Sequence, residues 1–390
     1  MGNPIVTNPV GILAVLSGVT SFFFYLEKRT QWKLFHYFPP LLFIYGLPVI
    51  LSNTGLIPTK CPLFDMLSDN FLPMFLLLML LDVDFGAAVR AMGKGIFVLL
   101  FGTAGVILGA PIAYFIVKSQ LGPDTWKGFG ALAGSWIGGT ANMTAVAKGI
   151  GASDTDSGLA IIADNLVYLV WIPILIGSKN FSRWFNRFAR VDKKRIALLE
   201  QASEDLTRDK GPFEIRHFLY LLFLGFFFPW LAATLAEYIP QYEPILTTQS
   251  WKILLVTTFG ILLSLTPAKK IPGSHQMAVA MVYLYVAKMG ASADLGELAD
   301  KALWFIVGAY IWIAVHGVLC ILGARIFHVD VHSTAIASAA NIGGIASAPI
   351  VAACHNEKLV PVSILMALIG YAIGNYGAFA AAWLCYLVSR

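Results

Sequence analysis

The chain has 390 residues, of which 58% are hydrophobic and 13% are charged. This composition excludes an ordinary soluble globular protein, and windows of about 20 mostly apolar residues, long enough to cross a hydrocarbon core, recur from end to end. The formal net charge of +5 does not indicate a nucleic-acid partner, because ten of the 27 basic residues lie in one polar stretch from Lys179 to Arg216. The composition therefore predicts an integral membrane protein that is embedded in a lipid bilayer.

The four cysteines are scattered and form no CxxC pair, so neither a disulfide framework nor a zinc site is indicated. The first apolar run begins in MGNPIVTNPVGILAV and has no basic residue ahead of it, which argues against a cleaved signal peptide. Enzyme motifs such as GxSxG, HExxH and the P-loop do not occur in the sequence. We therefore expect no enzymatic activity and no organic cofactor.

The apolar segments fall into two sets on either side of a polar linker. The first set comprises 7–27, 36–57, 65–89, 95–118, 125–150 and 156–178. The linker, 179–215, is rich in charged residues, and RVDKKRIALLEQASEDL within it predicts a short surface helix. The second set comprises 216–238, 247–266, 275–292, 302–327, 333–355 and 361–388. We predict a first repeat over 1–178 and a second over 216–390, joined by a basic cytoplasmic linker.

Three short matches relate the two sets. LDVDFGAAVRAMGKGIFVLL (81–100) aligns with ASADLGELADKALWFIVGAY (291–310), which places Asp84 on Asp294. SWIGGTANMTAVA (135–147) aligns with AANIGGIASAPIVA (339–352), and ADNLVYLVW (163–171) aligns with IGNYGAFAAAW (373–383). The matches occur in the same order at offsets of 210, 205 and 210 residues. Internal duplication of this kind indicates a transporter built from two related halves.

The two IGG segments leave two arrangements open. If every segment crosses the membrane, the halves are parallel; if each IGG segment dips in and returns, the halves are inverted. Basic residues concentrate on the cytoplasmic side, and the second arrangement places the clusters Lys28/Arg29/Lys33 and Arg90/Lys94 there. We therefore favour an all-α polytopic fold with two inverted repeats of about five spans, each with a re-entrant hairpin (125–150 and 333–355), and with the N-terminus outside.

At each IGG segment a polar, glycine-rich stretch interrupts an apolar one. Irregular backbone at membrane depth survives only inside protein or beside water, and glycine pairs permit such a break. The N–H groups exposed at a break suit a carboxylate, and the C=O groups suit a cation such as Na⁺. Small residues also serve helix packing, but two GG breaks in corresponding halves, each beside an asparagine, favour a site. The predicted substrate-binding residues are Gly138, Gly139, Thr140, Asn142, Thr144, Asn341, Gly343, Gly344 and Ser347.

Over essentially its full length the chain resembles the YjcL-like family of uncharacterised multi-span membrane proteins. More remotely, its paired GG segments are similar to those of the sodium/glutamate symporters and the sodium/citrate (2-hydroxycarboxylate) transporters. That similarity implies an elevator-type carrier that holds its substrate at the hairpin tips, and a homodimer, because such carriers often dimerise. The citrate-type tip reads GGNG, whereas the tips here read GGTAN and GGIAS. The resemblance therefore implies a fold and a mechanism but not a substrate.

Ionisable residues within spans are functional candidates, because burying them is unfavourable. Asp164 lies in the middle of an apolar segment and precedes Asn165, so we predict an ion-coupling site with Na⁺ near Asp164, or proton carriage by its carboxyl group. A structural hydrogen-bonding role is the alternative. Lys288 could pair with Asp164, attract a substrate carboxylate or extend to the interface. Asn375, the repeat counterpart of Asn165, completes the predicted ion-coupling group.

Other polar residues in the apolar segments carry less weight. Asp82, Asp84 and Asp294 lie at segment ends, where Asp84 and Asp294 favour helix-terminus caps over ion ligands. His316, in WIAVHGVLC, is a candidate proton group within a packed neighbourhood.

We predict a secondary active transporter that couples Na⁺ or H⁺ to symport of a small carboxylate-bearing solute, such as an amino acid, a short peptide or an organic acid. Elevator-type alternating access would move most of each half against a scaffold formed roughly by the first two spans of each half. No arginine lies in the interior of a predicted span, since Arg325 is two residues from the end of 302–327, so half-helix dipoles and Lys288 would supply the positive potential. The predicted location is a bacterial inner membrane. Two alternatives stay open: a cation/proton antiporter that uses Asp164 and Lys288, and a non-transporting membrane receptor.

Overall fold

The computed structural model describes residues 4–30, 32, 35, 40–81, 83, 92–191 and 211–390. These residues form helices and turns, with an isolated bridge between Tyr242 and Leu246 in place of any strand. In chain order the helices are α1 (Pro9–Thr30), α2 (Pro40–Asn53), α3 (Pro62–Leu80), α4 (Gly95–Val117), α5 (Trp126–Gly149), α6 (Asp154–Gly177), α7 (Ser182–Ala189), α8 (Ile215–Ala236), α9 (Thr248–Ser264), α10 (Ser274–Ser292), α11 (Leu295–Phe327), α12 (Val331–Ile342), α13 (Gly344–His355) and α14 (Val360–Ser389).

Side-chain caps fix where several of these helices begin. The hydroxyl oxygen of Ser153 accepts a hydrogen bond from the Asp156 amide (3.0 Å), so α6 begins directly after the turn that follows α5. The carboxylate of Asp330 accepts one from the Ser333 amide (2.9 Å) and starts α12 in the same way. Each cap satisfies an N–H group that the helix itself leaves without a partner.

Seven helices in the described part of the chain are long and apolar enough to cross a membrane, which confirms a polytopic membrane protein. Others are shorter: α2 has 14 residues and α9 has 17. At 1.5 Å per residue these helices reach about 21 and 26 Å, less than the roughly 30 Å of a hydrocarbon core. The count of about ten spans therefore stays a prediction. Asp82, Asp84 and residues 192–206 of the predicted surface helix lie outside the described residues.

The helices pack as two bundles, and each half of the chain contributes to both. The first bundle contains α1, α2 and α3 with α8, α9 and α10; the second contains α4, α5 and α6 with α11 to α14. The sequence placed only the first two spans of each half in one group, whereas the structure adds the third. The third span of the first half, α3, belongs to the first bundle because it packs closely there: Gly260 of α9 lies against Leu80 of α3, and Gly225 of α8 lies against Met74 of α3.

Helix α5 folds back on itself at Gly139. The backbone there adopts φ 73° and ψ −177°, which is accessible to glycine and excludes the helical hydrogen-bonding pattern. A Cβ atom placed on Gly134 would lie 2.9 Å from Cα of Met143. In a straight helix those residues would be about 13 Å apart along the axis. The two arms, 126–138 and 140–149, are therefore antiparallel neighbours.

Helices α12 and α13 form a second folded-back pair. Gly344, where α13 begins, has a positive φ of 56°, and the Ser347 hydroxyl donates to the Ala339 carbonyl oxygen across the turn (3.2 Å). The open ends meet as well, because the Nδ1 atoms of His332 and His355 are 3.0 Å apart. A ring nitrogen of His355 also bonds the Leu175 carbonyl near the end of α6, whereas α5 adjoins the start of α6. The two hairpins thus approach each other from opposite ends of α6.

Candidate functional site

The tips of both hairpins converge on the ring of Tyr371 in α14. A Cβ atom on Gly139 would lie 3.0 Å from Cε1 of this ring, and one on Gly344 would lie 3.5 Å from the same atom. Both glycines have positive φ, and the Tyr371 side chain is half-buried between them. One glycine of positive φ from each half of the chain therefore lies against a single aromatic side chain.

Helix α14 also packs directly on the first tip through two glycines on either side of Tyr371. A Cβ atom placed on Gly370 would overlap the carbonyl oxygen of Ile137, and a Cβ atom placed on Gly374 would lie 2.8 Å from Cα of Gly138. Nδ2 of Asn142 donates to the Tyr371 carbonyl oxygen at 2.9 Å. Because any larger residue at 370 or 374 would displace the tip, the glycines allow the close approach.

Helix α6 connects the two hairpins through residues spaced along one of its faces. The Asp164 carboxylate accepts hydrogen bonds from the Ser135 hydroxyl (2.7 Å) and from Nε1 of Trp136 (2.9 Å), both one turn before the first tip. Tyr168 lies one turn further along α6, and its ring approaches Gly343 at the second tip. Asp164 and Tyr168 are both half-buried.

One of the two donors to Asp164, Trp136, is enclosed by its neighbours. Trp136 is fully buried and packs on Trp312 of α11 with ring centroids 4.6 Å apart. Nε1 of Trp312 donates in turn to the Val106 carbonyl oxygen at 2.8 Å. Uncharged donors thus hold the Asp164 carboxylate, so it can accept a proton or contribute to binding a cation without breaking an ion pair.

Lys288 does not reach Asp164, which corrects that part of the prediction. Its Nζ atom pairs with Oδ2 of Asp154 at 3.2 Å, at the start of α6. Asp154 and Asp164 are separated by ten residues of helix, or about 15 Å of axial rise. The lysine is buried, and its Nζ atom lies 5.6 Å from the ring centroid of Tyr285. It therefore stabilises contact between the bundles at one end of α6.

The other predicted ion-coupling residues also lie apart from the Asp164 carboxylate. Adjacent residues of a helix project about 100° apart, so Asn165 points away from the Asp164 carboxylate. Its Nδ2 donates to the Ile161 carbonyl oxygen of the same helix at 2.7 Å. Nδ2 of Asn375 donates to the Thr257 hydroxyl of the first bundle at 2.7 Å. Asn375 thus belongs to the interface between the bundles, and the structure does not bring the predicted group of four together.

The remaining predicted residues of the tips have separate local roles. Thr140 lies at the first tip and is half-buried. The Thr144 hydroxyl donates to the Ala141 carbonyl oxygen at 2.8 Å within its own arm. Nδ2 of Asn341 donates to the Thr103 hydroxyl of α4 at 3.0 Å. Of the nine, Gly139, Gly344 and Asn142 have contacts with Tyr371.

Three buried asparagine oxygens have no hydrogen-bond partner within the described part of the chain: Oδ1 of Asn142, Asn341 and Asn375. In each case the amide nitrogen of the same side chain is bonded to protein. A buried acceptor without a partner is unfavourable, and such groups serve as ligands for water or a cation. All three residues are among those that the sequence predicted. No cluster of three His, Cys, Asp or Glu residues suited to a transition metal occurs among the residues that the structure describes.

His316 has both ring nitrogens in structural hydrogen bonds. Its Nδ1 lies 2.9 Å from the Gly102 carbonyl oxygen, which can only accept, so Nδ1 carries the proton. Its Nε2 lies 2.9 Å from the Ser338 hydroxyl oxygen, which accepts from Nε1 of Trp171 (3.0 Å). The imidazole completes this chain of bonds and holds α4, α6, α11 and α12 together.

Sequence reasoning missed Tyr371, Tyr168, Ser135 and Trp136. Tyrosine and tryptophan in a membrane segment are too common to stand out. A signal for Tyr371 did exist, because it lies between Gly370 and Gly374, whose spacing of four marks a face of close helix contact.

These features define a polytopic helical membrane protein in which two folded-back helices, one from each half of the chain, meet on one tyrosine. The chain belongs to the family described as protein of unknown function DUF819, whose model matches residues 14–387. It is 24% identical over 387 residues to the uncharacterized membrane protein YjcL of Bacillus subtilis (strain 168), and the matched region covers 96% of this chain and 95% of that protein. The predicted resemblance to a YjcL-like family is thereby confirmed.

Proposed function

We propose that the protein is a secondary active transporter whose solute binds between the two hairpin tips. The observation that carries this proposal is the convergence of Gly139 and Gly344, one from each half, on the half-buried ring of Tyr371. Helix breaks at membrane depth require protein or water around them, and carriers use such breaks to bind solutes. The approach of the hairpins from opposite ends of α6 supports inverted halves.

The solute in this proposal is a small molecule with a carboxylate, such as an amino acid, a short peptide or an organic acid. The second arms begin at the tips, at Thr140 and Gly344, so their N-terminal N–H groups and dipoles face the same space. Lys288 pairs with Asp154 and does not contribute a charge to this space. The backbone dipoles therefore supply the positive potential, which favours a solute of low net charge.

Asp164 is the coupling group in this proposal, with Na⁺ or H⁺ as the ion. Its carboxylate is bound by the arm that leads to the first tip, through Ser135 and Trp136. A proton or cation on the carboxylate would change these bonds and thereby the position of the first tip. Solute and ion binding are thus linked through one turn of helix.

Alternating access would come from movement of the second bundle, which contains both hairpins, against the first. Polar contacts join the two, and among them are Thr257 with Asn375 and Thr258 with Tyr376 (2.8 Å). Such contacts can be exchanged for others as one bundle slides along the other, unlike a fully interlocked apolar core. We further propose a bacterial inner membrane, a homodimer formed through the first bundle, an outside N-terminus and a cytoplasmic linker over 179–215. We propose no enzymatic activity and no nucleic-acid partner.

A cation/proton antiporter is the second candidate. One observation favours it: the Asp164 carboxylate is half-buried and bonded to uncharged donors. In that case Asp164 would act without Lys288, because Lys288 is held by Asp154. A non-transporting receptor would leave the converging tips without a role.

Thermal unfolding of the purified protein with amino acids, short peptides and organic acids, each with and without Na⁺, tests these proposals. We expect stabilisation by one solute class, because a ligand that binds only the folded state raises its melting temperature. Uptake of that solute into proteoliposomes should then require an imposed ion gradient. Ion flux without solute that is abolished by Asp164→Asn would instead establish the antiporter. Absence of both uptake and ion flux would contradict transport.

A further inference from the structure

A cavity that is separate from the hairpin tips lies at the boundary between the bundles. It has a volume of about 480 Å³ and is bounded by the loop from Tyr242 to Leu246, by α9 and by α14. Most of its lining is aromatic or aliphatic, and 480 Å³ is within the range of roughly 300–1,000 Å³ that small-molecule sites span. We refer to this cavity as the α14 slot.

The walls of the α14 slot are well defined. On one side, the amide and carbonyl groups of Tyr242 and Leu246 bond each other at 2.9 Å, and Nε1 of Trp251 donates to the Pro240 carbonyl oxygen at 2.9 Å. On the other side, Tyr376 and Trp383 lie on one face of α14. Trp383 is 51% exposed and Tyr376 is 42% exposed, so the slot opens on the surface that faces the bilayer.

The length of the slot matches one leaflet of a membrane. It extends along α14 from Tyr386, four residues before the helix-terminal Arg390, to Tyr376, ten residues deeper. Ten residues of helix span about 15 Å, and half of a hydrocarbon core of roughly 30 Å is the same length. An acyl chain that enters at Tyr386 would reach the middle of the bilayer beside Tyr376.

Two residues of opposite charge lie at the slot. Glu243 is one of its lining residues, and the guanidinium of Arg390 lies 4.6 Å from the ring centroid of Tyr386, which also lines the slot. A headgroup with a phosphate and a primary ammonium is complementary to this pair, because guanidinium binds phosphate and carboxylate binds ammonium.

We propose that the α14 slot binds one phosphatidylethanolamine molecule. One acyl chain lies between α9 and α14, the phosphate contacts Arg390 and the ammonium group contacts Glu243. Because α9 belongs to the first bundle and α14 to the second, the bound lipid holds the two bundles together at this edge. This site goes beyond the transport proposal and stands whether or not a solute is carried.

Native mass spectrometry of the purified full-length protein with graded phosphatidylethanolamine or phosphatidylglycerol tests the proposal. We expect one phosphatidylethanolamine to be retained in preference to phosphatidylglycerol. Ala380→Trp should weaken its binding about tenfold or more, because the added ring displaces about two methylene groups of the acyl chain from the slot. Val318→Trp adds the same ring to a side chain that is 62% exposed on α11, away from the slot, and should leave binding unchanged.

Two further measurements do not depend on how well Ala380→Trp folds. Glu243→Gln should remove the preference for phosphatidylethanolamine over phosphatidylglycerol. In the unaltered protein, phosphatidylethanolamine with six-carbon chains should bind more weakly than the same headgroup with sixteen-carbon chains. Equal retention of both headgroups, equal effects of the two tryptophan substitutions, or no dependence on chain length would each overturn the proposal.

Discussion

The Nζ atom of Lys288 lies 3.2 Å from Oδ2 of Asp154, and this ion pair joins α10 of the first bundle to the first turn of α6 in the second. The lysine side chain is 8% exposed and the aspartate side chain 28%. Removing one member of a largely buried pair leaves a charge without compensation. Lys288→Met should therefore lower the free energy of unfolding by about 2 kcal/mol or more, measured by thermal unfolding in detergent.

Lys127→Met is the matched control for that substitution. Lys127 pairs with Asp124 at 3.6 Å, but the aspartate side chain is 74% exposed. Lys127→Met should therefore change the free energy of unfolding by no more than about 0.5 kcal/mol. Asp154→Asn should destabilise the protein as Lys288→Met does. A loss of stability with Asp164→Asn but not with Asp154→Asn would contradict the assignment of the pair.

The tip glycines can be tested by comparing two glycines that both have positive φ. Gly139→Ala and Gly151→Ala both place a side chain at positive φ, 73° and 63° respectively, which is unfavourable by about 1–3 kcal/mol. A Cβ on Gly139 approaches Tyr371, whereas a Cβ on Gly151 meets no atom within 4 Å. Both variants should be destabilised, but only Gly139→Ala should also lose solute-induced stabilisation in the thermal assay. If both variants kept the same solute-induced rise in melting temperature, Gly139 would be excluded from the solute-binding site.

Replacing Asp164 separates coupling from binding. Asp164→Asn keeps an oxygen that can accept from Nε1 of Trp136 but removes the ionisable group. If the carboxylate carries the coupling ion, gradient-driven accumulation in proteoliposomes should be lost while exchange of internal for external solute continues. Ser157→Ala, which removes a hydroxyl that donates to the Ser153 carbonyl oxygen at 3.0 Å, should leave both activities intact. Gradient-driven accumulation by Asp164→Asn would exclude this residue as the coupling group.

The hydrogen bond between Asn375 and Thr257 should be a measurable link between the bundles. Thr257→Val leaves the buried Nδ2 of Asn375 without its acceptor at 2.7 Å, which should lower stability by roughly 1–3 kcal/mol. Adding Asn375→Leu to the Thr257→Val variant should then destabilise the protein less than Asn375→Leu does alone, because the shared hydrogen bond is already absent. Thermal unfolding of both single variants and the double variant measures this coupling. Strict additivity would show that the two side chains do not interact.

Local patterns predicted much of the fold because their physical causes are local. Apolar length set the positions of helices such as α4 and α6, and the glycines of IGGTAN and IGGIAS marked where two helices fold back, since positive φ is accessible mainly to glycine. The three asparagines Asn142, Asn341 and Asn375 stood out because an amide in an apolar segment needs a partner. Each of them is buried with its amide nitrogen bonded and its oxygen unpaired in the described structure.

The sequence by itself determined that this chain is a polytopic membrane protein and marked a glycine break in each half of the chain, because these features follow from composition and from backbone freedom. Only the tertiary structure decided that Lys288 pairs with Asp154, that Asp164 is bonded by Ser135 and Trp136, and that both tips meet Tyr371. Those partners are far apart in the chain, and many pairings of the same charges and rings are compatible with one hydropathy pattern. The depth and rotation of each helix in its bundle, set by packing of all its neighbours, selects among them.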